Sequence, residues 1–213
     1  GPFLNFPLKK FKKINPHNAI NHPRWKMGKK ISVDSATMMN KVFEVIEAQR
    51  IFSLDIKKFE ILIHPKSYLH AIIKFNNGLI KMILHDTDMK IPIFNSIYIG
   101  SNKSIKTNKV NIDYLNKLNL TLPSIKKFPS LKILKKITNE ISLFETVIIS
   151  ANDELVKFFL NGKIKLNDIN KYLNKIINLK QFSYCKTKKP RDIKQIYDLI
   201  EEVRLKTKYL CIK

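Results

Sequence analysis

Residues 21–50, NHPRWKMGKKISVDSATMMNKVFEVIEAQR, are the most informative stretch of this chain. They contain the single tryptophan of the protein, and a run without glycine or proline follows from Ala36 to about Phe52. Asp34 or Ser35 is a suitable N-cap, because a short side-chain oxygen there accepts hydrogen bonds from first-turn amides. The stretch therefore predicts a loop that leads into one helix beginning at Asp34 or Ser35.

The predicted helix has one polar stripe opposite an apolar arc. At about 100° per residue, the stripe holds Thr37, Asn40, Glu44 and Glu47, with Lys41 at its edge. One interpretation is an ordinary amphipathic helix whose polar side is solvated. The other is a ligand site, because hydroxyls, an amide, an ammonium and a helix N-terminus together suit a phosphate. Glu44 would then hold a hard cation beside that anion.

The chain resembles the 1-deoxy-D-xylulose 5-phosphate reductoisomerase family in residues 22–48, in LIHPKSYLH at 62–70 and in FPSL at 128–131. In that family the first two pieces form the substrate-binding and catalytic core. The resemblance implies metal-dependent rearrangement of 1-deoxy-D-xylulose 5-phosphate and reduction by NADPH to 2-C-methyl-D-erythritol 4-phosphate, in non-mevalonate isoprenoid synthesis. The divalent cation would be Mg²⁺ or Mn²⁺.

The resemblance also implies roles for individual residues. Catalytic roles fall to Glu44, as the metal ligand, and to His22 and Trp25 in an active-site loop over residues 21–29. Substrate contacts are implied for His22, Ser35, Asn40, Lys41, Glu44, His70 and Met89. Met27 and Gly28 would lie near NADPH, and Glu47 and Ser67 would orient neighbouring groups. From the residues alone, a core histidine remains an open alternative for His64 and His70, and a tryptophan docked on the core remains one for Trp25.

Other family features have no match in this sequence. Thr87 stands where the family usually has the proline of a Pro-Asp-Met motif. The five glycines, at positions 1, 28, 78, 100 and 162, cannot form a GxGxxG loop. The family's NADPH-binding domain and two further carboxylate ligands would precede this chain. We therefore expect a partial enzyme, active only with the missing N-terminal half. The alternative is a catalytically inactive fragment that acts as a binding or dimerisation module.

The amino-acid composition limits the classes of binding partner and the cellular location expected for this chain. The chain has 213 residues and a formal net charge of +23, from 40 Lys and Arg against 17 Asp and Glu. Such a positive charge is typical of proteins that bind nucleic acid. The basic residues are spread along the whole chain, however, so we expect no nucleic-acid partner. No apolar run approaches the ~18 residues of a membrane span. Cys185 and Cys211 lie in no metal-binding spacing and suggest a reducing compartment. We expect a cytoplasmic homodimer, with a plastid-type location still open.

The expected fold class is α/β: an α+β catalytic domain with a small mixed sheet, followed by an all-α C-terminal bundle of about four helices. The predicted domains are residues 1–91, catalytic and connective, 92–127, a linker, and 128–213, helical. Residues 1–20 are expected to be irregular. The predicted strands are Phe59 to His64, Tyr68 to Phe75 and Leu79 to Leu84, the last two joined by an Asn76-Asn77-Gly78 turn. The predicted C-terminal helices are Leu131 to Ile141, Thr146 to Asn161, Leu166 to Leu179 and Pro190 to Tyr209.

Overall fold

The computed structural model describes residues 2–20 and 27–212. Its chain divides into two compact units. The helical unit comprises Gly1–Ile61 and Ser124–Lys213, and the hairpin unit comprises Leu62–Pro123. These units are defined by packing alone, so the functional division into residues 1–91, 92–127 and 128–213 stays a prediction.

The first twenty residues contain short helices. A 3-10 helix spans Leu8–Lys13, and helix α1 spans Pro16–Ile20. Pro7 is the N-cap of the first, and Pro16 is the first residue of the second. A proline in the first turn of a helix costs no intrahelical hydrogen bond, because backbone amides in that turn have no carbonyl partner within the helix. The prediction of irregular chain was therefore wrong: these prolines begin helices.

The long helix predicted from residues 34 or 35 is two helices. Helix α2 spans Lys29–Thr37 and helix α3 spans Met39–Phe52. Between them Met38 has a left-handed backbone with φ of 62°. Asp34 and Ser35 therefore lie inside α2, and their prediction as N-cap was wrong. The polar stripe is interrupted as well, because Thr37 is buried at the end of α2.

Side chains complete the hydrogen bonding of this interruption. The Thr37 hydroxyl donates towards the carbonyls of Val33 and Asp34, at 3.2 Å from each, and accepts from the Met39 amide at 3.4 Å. The buried Ser130 hydroxyl donates to the Thr37 carbonyl. The hydroxyls of Thr37 and Ser130 thus pair with backbone amides and carbonyls that a continuous helix would pair internally. These hydrogen bonds stabilise the left-handed backbone at Met38, a conformation that is costly for a residue other than glycine.

The C-terminal part of the helical unit packs around α6. Helices α6, α7 and α8 span Phe144–Leu160, Leu166–Ile177 and Ile193–Ile212. Helix α6 packs against α7, α8 and α2. Its fully buried apolar side chains include Val147, Ile148, Leu155 and Phe159. Fully burying a large apolar side chain contributes about 1.5–3 kcal/mol, so α6 is the centre of this core.

Three of the four predicted C-terminal helices are confirmed within a few residues of their ends. The first prediction, Leu131 to Ile141, was wrong, because the structure has a 3-10 helix over Pro129–Lys136. Its buried residues are Ser130, Leu131 and Ile133, and the spacing of Ser130 and Ile133 matches the three residues per turn of a 3-10 helix. Another 3-10 helix, Lys180–Lys186, joins α7 to α8. None of the helices described has the length and apolar run needed to cross a membrane.

The hairpin unit contains the small sheet. Strand β1 spans Leu69–Lys74 and strand β2 spans Ile80–Leu84. They pair antiparallel, in place of the mixed pairing expected. The predicted Asn76-Asn77-Gly78 turn is confirmed: Gly78 has φ of 87°, and the Phe75 amide donates to the Leu79 carbonyl at 2.9 Å. The unit also holds helices α4, Lys90–Ile97, and α5, Ile112–Asn116.

The predicted strand over 59–64 is reduced to a single bridge. The amides of Ile63 and Thr121 each donate to the other's carbonyl, at 2.8 and 3.1 Å. In an antiparallel ladder the next such pair would involve Pro123 on one side and Pro65 on the other. Proline has no amide hydrogen to donate, so the ladder cannot lengthen in either direction. The strand prediction was wrong for this reason.

Candidate active site

Three of the predicted site residues meet on the first two turns of α3. The Asn40 amide nitrogen Nδ2 lies 3.4 Å from Glu44 Oε1, and Lys41 Nζ lies 2.6 Å from Glu44 Oε2. The Lys41 and Glu44 side chains are 42% and 53% exposed. An amide, an ammonium and a carboxylate thus share one solvent-accessible patch, which we call the α3 cluster.

Ser35 is placed differently from the sequence prediction. It is a buried residue on the last turn of α2, and its carbonyl accepts from the Met38 amide at 3.4 Å. A helix N-terminus attracts anions, whereas a C-terminus does not. The helix start near the predicted phosphate site is therefore that of α3 at Met39, not one at Ser35. Ser35 can contribute only its hydroxyl, from just ahead of the break.

A polar network around the buried side chains of Asp34 and Asn152 joins α2 to α6. Asp34 accepts from Lys30 Nζ at 2.7 Å and from Asn152 Nδ2 at 2.8 Å, and Lys30 also lies 3.0 Å from Asp153 Oδ1. Burial raises the pKa of Asp34, although hydrogen bonds from Lys30 and Asn152 act against that rise. Partial burial lowers the pKa of Lys30, but Asp34 and Asp153 outweigh it and raise the pKa overall. The network anchors the helix that precedes the α3 cluster.

The sequence analysis assigned no function to this network. The one local signal was the spacing of Lys30 and Asp34, which lie four residues apart on a helix and can form an ion pair. Asn152 lies 118 residues beyond Asp34, so the sequence holds no local sign of their contact.

Both residues predicted near NADPH, Met27 and Gly28, are described. Gly28 is the N-cap of α2, and its carbonyl accepts from the Ser32 hydroxyl at 3.0 Å. A Cβ added at Gly28 would meet no described heavy atom within 4 Å. The backbone there is open to close approach, as a cofactor contact would require, and Met27 beside it is half-buried. His22 and Trp25 lie outside the described residues.

The remaining predicted residues do not join the α3 cluster by any described contact. Glu47 is exposed one turn beyond Glu44. Ser67, His70 and Met89 belong to the hairpin unit. Within that unit, Ser67 has φ of 53° and donates its amide to the His64 carbonyl at 3.0 Å, and Met89 is exposed. The roles given to these residues stay predictions.

The residues present supply only part of a divalent metal site. Across the described ranges, 2–20 and 27–212, no three His, Cys, Asp or Glu side chains come together in a metal-binding group. Glu44 is a single accessible carboxylate, whereas Mg²⁺ prefers six oxygen ligands in octahedral geometry. This chain can therefore contribute one hard ligand and does not complete a site with its described residues.

Two models of known protein families match the sequence of this chain. A model described as the 1-deoxy-D-xylulose 5-phosphate reductoisomerase C-terminal domain matches residues 1–52. A second, the DXP reductoisomerase C-terminal domain, matches residues 84–206, more than half of the chain. The chain belongs to the 1-deoxy-D-xylulose 5-phosphate reductoisomerase family. The resemblance found in the sequence is thereby confirmed.

Curated reductoisomerases show how much of a family member the chain represents. The Pelagibacter ubique reductoisomerase is 58% identical over 206 residues, covering 97% of this chain and 53% of the relative. The Persephonella marina reductoisomerase is 38% identical over 202 residues, covering 95% and 53%. The chain thus spans about half the length of the curated reductoisomerases it matches.

Solved reductoisomerase structures share the fold. A DOX-P reductoisomerase in complex with NADPH, fosmidomycin and magnesium superposes with a TM-score of 0.88 at 29% identity, covering 99% of this chain and 53% of that one. The Zymomonas mobilis reductoisomerase in complex with NADPH gives a TM-score of 0.84 at 28% identity, with the same coverage. The predicted fold class is confirmed by these similarities.

Proposed function

We propose that this chain is the catalytic and C-terminal part of a 1-deoxy-D-xylulose 5-phosphate reductoisomerase, active only together with an NADPH-binding half. The product would be 2-C-methyl-D-erythritol 4-phosphate, and the cation Mg²⁺ or Mn²⁺. The observation that carries the proposal is the α3 cluster, in which the amide of Asn40 and the ammonium of Lys41 converge on the Glu44 carboxylate. Solved family members that bind NADPH and magnesium support the cofactors.

The residues of the α3 cluster suit a phosphorylated sugar. Lys41 and Asn40 are hydrogen-bond donors beside the N-terminus of α3, so they would bind the phosphate or neighbouring hydroxyls and orient the sugar. Glu44 would hold the divalent cation, and the Lys41 ammonium, which pairs with the same carboxylate, would donate to the substrate. When bound, the metal supplies Lewis-acid polarisation of carbonyl and hydroxyl oxygens, and NADPH supplies hydride. His22 and Trp25 would exclude water.

The hairpin unit supports the proposed homodimer. Both strands expose large apolar side chains, at Ile72 and Ile73 on β1 and at Ile80, Met82 and Ile83 on β2. A two-stranded sheet with apolar residues open to water is marginal alone and gains stability when it is covered. Light scattering after gel filtration should give twice the mass of one subunit, and a monomeric mass would contradict this part of the proposal.

Apart from the phosphorylated sugar and a second copy of the chain, no further binding partner is proposed. Neither nucleic acid nor membrane is proposed as a partner, since the positive charges are spread through the chain. A cytoplasmic location is proposed because Cys185 and Cys211 are both free thiols, as in a reducing compartment.

A chimera tests the activity. The matching part of the Pelagibacter ubique reductoisomerase would be replaced by this chain, since the two are 58% identical over 206 residues. The purified chimera should oxidise NADPH only when both 1-deoxy-D-xylulose 5-phosphate and Mg²⁺ or Mn²⁺ are present. Glu44→Gln should lower kcat by about a hundredfold or more, because a neutral amide is a poor ligand for a hard cation.

A surface carboxylate provides the matched control. Glu201 on α8 is 66% exposed, so Glu201→Gln removes the same charge from the same unit and should leave kcat within about twofold. Unchanged turnover in Glu44→Gln would refute the role of Glu44. A chimera that folds, as judged by circular dichroism and a cooperative melt, but has no turnover would refute the enzyme and favour the inactive binding module.

A further inference from the structure

His70 occupies an irregular position in β1. Leu69 pairs with Leu84 and Ala71 pairs with Ile83, so two steps along β1 match one step along β2. His70 is therefore the extra residue of a β-bulge. A bulge breaks the alternation of side chains and re-aims the extra one. The backbone thus directs the His70 side chain, although the residue is exposed.

A backbone carbonyl fixes one edge of the His70 ring. Its Nε2 lies 3.0 Å from the carbonyl oxygen of His85, the residue that follows β2. A carbonyl can only accept, so Nε2 carries the proton in this contact. The hydrogen bond sets both the tautomer and the position of the ring edge.

The side chain of His85 covers one face of the same ring. The two imidazole centroids are 3.6 Å apart, and their planes are inclined by only 10°. This is a parallel stack at van der Waals contact. Carbonyl and stack together restrict two different motions of the His70 ring, translation of its edge and tilting of its plane.

His85 is itself held in place. Its Nδ1 donates to the Asp86 carbonyl at 2.6 Å, and the ring is half-buried. The Asp86 carboxylate accepts from the amide and the side chain of Asn108, at 3.3 and 3.0 Å. The stacking surface is therefore anchored to a second segment of the hairpin unit.

We infer that His85 is a positioning residue for His70 and holds its imidazole in one orientation for contact with the phosphorylated sugar. The inference rests on the proposed function, in which His70 binds substrate. An exposed ring that is already oriented loses less conformational freedom when substrate binds. If His70 contacts the ground state and the transition state equally, losing this orientation raises KM and leaves kcat unchanged.

Side-chain variants in the chimera test this. His85→Ala removes the stack but keeps the backbone carbonyl that accepts from His70. It should raise KM for 1-deoxy-D-xylulose 5-phosphate about three- to tenfold, the loss expected for one aromatic pair, with kcat within about twofold. His85→Phe keeps a flat ring and should restore KM. The control is His17→Ala, the same substitution at an exposed histidine of the helical unit, which should change neither constant.

A double-mutant cycle then separates positioning from a direct role. In a His70→Ala background, His85→Ala should raise KM no further, since it acts only through the ring already removed. An additional rise in KM would overturn the inference, as would unchanged KM in His85→Ala alone or a His85→Phe variant as impaired as the alanine variant.

A spectroscopic measurement keeps the inference independent of turnover. In the chimera, this chain contributes five histidines to the spectrum of labelled ring carbons, and His70→Gln assigns one of those signals by its loss. His85→Ala should shift the His70 ring signal towards its unfolded value, and His85→Phe should not. If the unmodified chimera has no turnover, the proposed function fails, and this spectrum still decides whether the stack orients His70. No shift in His85→Ala overturns the inference.

Discussion

Replacing Arg50 by methionine should destabilise the helical unit strongly. Arg50 lies near the end of α3, and its guanidinium donates to the carbonyls of Asn139 and Glu140, each at 2.8 Å. It also forms an ion pair with the Glu145 carboxylate. The two side chains are only 20% and 13% exposed. Methionine keeps the apolar bulk of the arginine stem but leaves Glu145 with the Ser142 hydroxyl, at 2.8 Å, as its remaining described partner.

The burial of this pair sets the expected magnitude. Removing one partner of a buried ion pair costs about 3–5 kcal/mol, because an uncompensated charge stays buried. An exposed pair contributes about 1 kcal/mol or less. Arg204 and Glu201 on α8 form such a pair at 2.8 Å, with side chains 41% and 66% exposed. Since 1 kcal/mol shifts Tm by about 2–4 °C in a domain of this size, Arg50→Met should lower Tm by about 6–20 °C. Arg204→Met should lower it by less than about 4 °C.

Thermal and urea unfolding followed by circular dichroism measure both variants. Equal losses in Arg50→Met and Arg204→Met would refute the argument that burial, rather than pairing itself, sets the magnitude. The double variant Arg50→Met with Glu145→Leu adds a second check, since it leaves no lone buried charge and should regain part of the loss. A double variant less stable than Arg50→Met would contradict the same reasoning.

Two further predictions concern titratable groups. Burial lowers the pKa of His64, and neither of its ring nitrogens has a hydrogen-bond partner among the described residues. The unfolded chain therefore binds a proton more readily than the folded one, so the free energy of unfolding should fall as the pH drops below about 6.5. His64→Leu should make the free energy of unfolding, measured by urea titration between pH 5 and 8, depend less on pH. The same pH dependence in the variant and the parent chain would show that His64 is not the group responsible. Burial also raises the pKa of the Cys185 thiol, and burial with the nearby charges of Glu154 and Asp168 raises that of Cys211 to about 11. The thiolate is the reactive form, so iodoacetamide at pH 8 should label both cysteines far more slowly in the folded chain than in the urea-unfolded chain. Mass spectrometry measures the two labelling rates, and equal rates would contradict this prediction.

Features that depend on neighbouring residues could be predicted from the sequence. The Asn76-Asn77-Gly78 turn was predictable because Gly78 supplies the positive φ of a tight hairpin. Helices α6 and α7 were predictable because their buried apolar residues recur with helical period. The α3 cluster was predictable for the same reason, since Asn40 and Glu44 are one turn apart on a helix.

Features that depend on distant residues could not be predicted. The break at Met38 is held in part by the hydroxyl of Ser130, which lies 93 residues from its acceptor, Thr37. No glycine or asparagine marks the position. The strand expected over 59–64 fails partly because Pro123 lies beside the paired residue on the other segment. The stack on His70 likewise depends on His85, 15 residues away across the hairpin. In each case the deciding partner is fixed only by the tertiary fold.

The bridge between Ile63 and Thr121 also determines how the hairpin unit is built into the chain. The unit begins at Leu62 and ends at Pro123, so this bridge joins its two ends. Residues paired by two hydrogen bonds in an antiparallel bridge have Cα atoms about 5.5 Å apart. The chain thus leaves the helical unit and returns to it through adjacent positions, as in an inserted domain. A segment inserted or exchanged between residues 63 and 121 therefore needs ends that lie only about this far apart.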